Sequence, residues 1–122
     1  MNAPPLPPDD LPPANLDFSD NLLRLHLEEC LTHYFYEACD SQQQSLLSHC
    51  QWYITTYANA PTLVIEPPDS TTNWHLLKEL VKLGSVLKQL ARNAKIRVYP
   101  PAGMGTPFEM RVDELSVYRF LP

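Results

Sequence analysis

Glycine is scarce in this chain, three residues in 122, and none of the three stands in a GxGxxG or GxxxxGK[ST] arrangement. Without such a loop a phosphate has no close path to backbone N–H groups, so the sequence carries neither a dinucleotide fingerprint nor a P-loop. Cysteine is equally sparse: Cys30, Cys39 and Cys50, with no C-x-x-C spacing. An odd number of thiols, and no basic-then-apolar leader, argue against a disulfide framework and for a reducing compartment. No apolar run approaches the roughly 18 residues that span a bilayer. The chain reads as cytoplasmic, with no membrane partner.

Positive charge is nearly missing from the first half. Residues 1–66 hold nine Asp or Glu against Arg24 alone, a sum of −8, whereas residues 67–122 hold eight Lys or Arg against five acids, a sum of +3. The halves are electrically complementary, and such blocks are expected to attract within one fold or to stand as solvated faces. The net charge of −5 weakens the phosphate attraction on which non-specific nucleic-acid binding depends.

What the chain does have is 44% hydrophobic and 19% charged residues, a globular composition of single-domain size. Six of its 13 prolines fall in the first thirteen residues. Residues 1–18 therefore read as a disordered, Pro-rich acidic leader that cannot bury enough surface to offset its ordering entropy, and residues 19–122 as one α/β domain.

Within that domain, Ser19 or Asp20 can cap a helix whose Leu23, Leu27, Leu31, Tyr34, Phe35 and Ala38 recur at helical spacing up to about Cys39. A second helix is expected from Ser41, with Gln44 completing a Ser-x-x-Gln capping box. Leu46, Leu47, Cys50, Tyr53, Ile54 and Tyr57 would lie on its one face. Thr62–Glu66 is short, β-branched and flanked by proline, which predicts a buried strand. A long helix follows from about Trp74 to Asn93, with Gly84 in its apolar stripe suggesting a close backbone approach. Ile96–Tyr99 is a second strand ended by Pro100 and Pro101, and Met110–Phe120 a third with a break at Asp113 and Glu114. The order ααβαββ implies a small three-stranded mixed sheet containing one βαβ crossover, packed against helices.

Several constellations could carry chemistry. His26, Cys30 and His33 fall at i, i+4 and i+7, so a helix sets two nitrogens and a sulfur on one side, a geometry able to bind zinc or to pair a thiol with a base. No fourth ligand and no oxyanion turn accompany them. Ser70, Thr71 and Thr72 at a helix start could hold a small anion, though helix capping already explains them. Lys78, Lys82, Lys88, Arg92, Lys95, Arg97, Arg111 and Arg119, with Tyr99, Tyr118 and Phe120, could form a basic and aromatic surface.

No motif here belongs to a known family, and no cofactor is implied. Elimination leaves a non-enzymatic protein-binding module, an adaptor or assembly factor of chaperone-like kind, that recognises a peptide tail or sheet edge of a partner protein or of a second copy. Tyr99, Arg111, Tyr118 and Phe120 are the expected edge contacts, and Lys78, Lys82 and Arg92 the expected steering charges. The alternatives are a nucleic-acid or small-anion regulator using the basic second half, and a metal or enzymatic site around His26, Cys30 and His33.

Overall fold

The computed structural model describes residues 13–56 and 60–114, with side chains from Ser19 onward. Three helices and four strands follow in the order ααββαββ: α1 (Pro13–Ala38), α2 (Ser41–Ser48), β1 (Gln51–Thr55), β2 (Thr62–Glu66), α3 (Ser70–Leu90), β3 (Lys95–Val98) and β4 (Phe108–Arg111). The class is mixed α+β, and the expected three-stranded sheet is a four-stranded one.

α1 starts six residues before the expected cap, at Pro13. Proline suits a first helical position because its φ is already helical and its missing N–H has no partner to lose there. α2 is half the expected length. Its capping box lies one residue earlier than Ser41 and Gln44: the Asp40 carboxylate accepts from Gln43 N–H at 2.7 Å, and Gln43 Oε1 accepts from Asp40 N–H at 2.9 Å. Gln44 is thereby released to donate to the Tyr36 carbonyl at 2.7 Å, tying α2 to the end of α1.

The expected helix beyond Ser48 is instead strand β1. Its residues Gln-Trp-Tyr-Ile-Thr are aromatic or β-branched after the first, side chains that fit a pleated surface better than a helix. They pair antiparallel with all of β2, from Gln51 opposite Glu66 to Thr55 opposite Thr62. β2 and β3 are parallel neighbours joined through α3, as the βαβ spacing predicts, and β4 pairs antiparallel with β3. β4 begins earlier than expected and stops at Arg111. The Pro-Pro exits after β2 and β3 therefore lie at one end of the sheet, and the β3–β4 loop turns through Gly103 (φ 80°) and Gly105 (φ 130°), conformations that a side chain would strain.

Strand order β1-β2-β3-β4 puts β1 and β4 at the two edges. One face carries Trp52 and Ile54, Leu63 and Ile65, Ile96 and Val98, Phe108 and Met110. It packs under Phe35 of α1, Leu47 of α2 and Leu76, Leu80, Leu83 and Leu87 of α3. Gly84 is buried on α3. The opposite face holds the row Tyr53, Val64, Arg97, Glu109 and the row Thr55, Thr62, Lys95, Arg111. No helix of the described residues is long and apolar enough to cross a membrane.

Candidate functional site

Among the described residues β1 has a strand neighbour on one side only, and α1 packs against it. The two elements run in opposite directions: Tyr36 stacks on Trp52 with centroids 6.0 Å apart and planes 14° apart, while Glu28, two turns earlier on α1, reaches Thr56 just past β1. Glu28 Oε2 accepts from the Thr56 N–H at 2.7 Å and from its hydroxyl at 3.0 Å, which fixes where the strand ends. Phe35, buried in the core, also meets Trp52 in an edge-to-face contact with centroids 5.8 Å apart.

Between these anchors lies a groove of about 680 Å³. Leu25, Glu28, Glu29, Thr32, His33 and Tyr36 line it from α1, and the consecutive residues Trp52, Tyr53 and Ile54 from β1. Successive strand residues point to opposite faces, so three in a row can border one groove only if it follows the strand's edge. Leu25 and Tyr53 are about half exposed, at 52% and 51%. The helical stretch from Leu25 to Tyr36 is about 16 Å long, and the five residues of β1 span about 17 Å. The groove therefore has the length of one short strand.

The opposite edge differs in kind. β4 presents Glu109 and Arg111, and its charges are engaged: Arg97 Nη2 lies 2.6 Å and Lys95 Nζ 3.5 Å from the Glu109 carboxylate, and Arg111 Nη2 lies 2.6 Å from Asp113. The Arg97 guanidinium holds the Glu109 carboxyl below its usual range. Charged residues on an edge strand discourage pairing, whereas Gln51–Thr55 holds no charge at all.

A second cleft, of about 570 Å³, lies between α2 and α3, bordered by His49, Thr72, His75, Lys78 and Glu79 among others. Its lining holds one lysine, Lys78, and one carboxylate, Glu79. Glu79 also pairs with Lys82 at 3.8 Å, and Asp69 caps α3 by accepting from the Thr72 N–H at 2.8 Å. That backbone hydrogen bond lowers the Asp69 pKa. An anionic group of the chain itself thus already occupies the helix start where Ser70, Thr71 and Thr72 suggested a ligand.

Comparison with family models, with characterised proteins and with solved structures finds no match.

The residues singled out from sequence are dispersed. Tyr99 is exposed just past β3, a central strand, and Arg111 faces Lys95 at the far end of the same ladder. Lys78 and Lys82 are exposed on α3, and Arg92 is exposed in the turn beyond it. Lys95, Arg97 and Arg111 stand on the sheet face turned away from the helices, so the cations make no single surface. Tyr118 and Phe120, like Arg119, lie outside the described residues.

Among the other candidates, His26 Nε2 and Cys30 Sγ approach to 3.9 Å on an exposed face, while His33 borders the β1 groove. Among the described residues no three His, Cys, Asp or Glu are gathered so as to hold a metal ion. Cys30, Cys39 and Cys50 are free thiols, and burial is the main cause pushing Cys39 and Cys50 up to about 11.

Sequence reasoning missed Glu28, Tyr36, Trp52 and Tyr53 because it placed Gln51–Thr55 in a helix. The signal that could have found them is the density of β-formers from Trp52 to Tyr57, with no strong helix former among them.

Proposed function

We propose that this protein is a non-enzymatic binding module that accepts an extended segment of another protein as a fifth strand beside β1. The observation that carries the reading is the pairing of an uncharged edge strand with a groove of strand length along α1. Backbone N–H and C=O groups of an added strand would complete the ladder, and its inward side chains would enter the space between Trp52 and the flank of α1. This moves the expected edge contacts from the last strand to Tyr36, Trp52 and Tyr53, and the adaptor or assembly role stays with them. Thiols raised to about 11 fit binding better than nucleophilic chemistry, and free thiols fit a reducing compartment such as the cytoplasm.

Selection of displayed heptapeptides against the full-length protein tests this reading. Enriched peptides are expected to lack central proline and to lose about fivefold or more in affinity for Tyr53→Ala, since an aromatic interface residue commonly contributes over about 1 kcal/mol. Lys78→Ala, on α3, should bind them unchanged. Peptides that respond to Lys78→Ala and ignore Tyr53→Ala would contradict the edge and favour the cleft between α2 and α3.

A further inference from the structure

We infer that the segment taken by the β1 groove carries a large apolar or aromatic residue and, four positions away on the same face, a Lys or Arg. This rests on the edge-strand reading above and specifies its partner.

The groove has two chemically different ends. At one, Tyr36 and Trp52 stack and offer an aromatic wall; at the other, Glu28 and Glu29 bring two adjacent carboxylates to the lining. Among the described residues no Lys or Arg lines the groove. The ion pairs among the described residues, Lys82–Glu79, Lys95–Glu109, Arg97–Glu109 and Arg111–Asp113, all join residues of the second half to one another. None of these ion pairs joins the two halves, and α1 brings Glu28 and Glu29 to the groove. A cation on the incoming segment would meet the field of these two carboxylates there.

The spacing follows from the two elements. Tyr36 and Glu28 are eight residues apart on α1, about 12 Å along the helix. An extended chain covers that distance in about four residues at roughly 3.3 Å each. Four is an even step, so both side chains point to the same side of the added strand and can face α1 together. An odd step would turn one of them to the opposite face of the sheet.

A second copy of this chain fits less well. Its own β1, Gln-Trp-Tyr-Ile-Thr, brings no cation, and pairing two grooves would bring carboxylates of both copies together.

The test is binding of synthetic peptides to the full-length protein, read by fluorescence anisotropy. The probes embed Phe-Thr-Val-Thr-Lys and the reversed order Lys-Thr-Val-Thr-Phe in neutral flanks. The controls replace Lys by Gln or Glu, or move Lys one position to an odd spacing. One of the two orders is expected to bind about two- to fivefold tighter than its Gln control, the upper part of the range of a solvent-screened charge pair. That advantage should shrink in Glu29→Gln, a change at an exposed helical position that removes one of the two carboxylates, and shrink further at about 0.5 M salt. Glu28 is left intact because it also holds Thr56.

Equal binding of the Lys, Gln and odd-spaced peptides would overturn the inference while leaving the groove as a strand-binding site. A Lys advantage that neither Glu29→Gln nor salt reduces would overturn it as well. If none of the peptides binds, neutral or basic, the edge-strand reading falls with it. Self-association of the protein with protection confined to β1 would replace the basic segment by a second copy.

Discussion

Glu28 joins two elements that are far apart in sequence: a single carboxylate oxygen on α1 receives both the N–H and the hydroxyl of Thr56. Hydrogen bonds to a charged acceptor contribute about 1.5–3 kcal/mol. Glu28→Ala should therefore lower the unfolding free energy by about that much in urea, whereas Glu28→Gln, which keeps an acceptor, should lose less than about 1.5 kcal/mol. Equal losses would mean that charge rather than acceptance holds the strand end. Cys39 and Cys50 make a different prediction. Their folded pKa values, raised from 9.0 to about 11 chiefly by burial, mean that the fold favours the protonated thiol. Their contribution to stability is full below about pH 9 and is lost as pH rises through about 11. The fall in melting temperature over that window should be shallower in Cys39→Ala with Cys50→Ala than in the parent chain, even though the double variant starts lower because of the space it leaves. The same two thiols should resist alkylation at about pH 8 until the protein unfolds.

At the scale of elements, Asp40 sets the turn from α1 into α2. Removing its cap through Asp40→Ala should cost about 0.5–2 kcal/mol, with the denaturation midpoint as readout. The β2–α3–β3 unit was legible from the sequence: Thr62–Glu66 and Ile96–Tyr99 are short β-branched runs stopped by Pro-Pro, and the stripe of Leu76, Leu80, Leu83 and Leu87 has an unbroken helical period. β1 was not. Leu46, Leu47, Cys50, Tyr53 and Ile54 continue helical spacing across residues 49–55, and local pattern alone could not reveal that pairing with β2 buries Ile54 and Trp52 against the core. The cap was displaced for a related reason, since Asp40 and Ser41 are both competent and only the link from Gln44 to Tyr36 distinguishes them. With β1 taken as helix, the sheet edge was assigned to the last strand.

Across the whole molecule, the helices cover one face of the sheet and leave the two edges unlike each other. β4 is short and bound into a network with Lys95, Arg97 and Asp113, while β1 is uncharged and shares a groove with α1. Among the described residues the ion pairs lie within the basic half, and α1 brings Glu28 and Glu29 to the groove. Backbone hydrogen–deuterium exchange of the full-length protein, with and without the peptide carrying Phe-Thr-Val-Thr-Lys in its binding order, tests this asymmetry most directly. Edge amides within Gln51 to Ile54 should exchange more slowly when the peptide is bound, and those of Phe108–Arg111 should not change. Binding that protects β4 or α3 and leaves Gln51 to Ile54 exchanging as before would contradict the account.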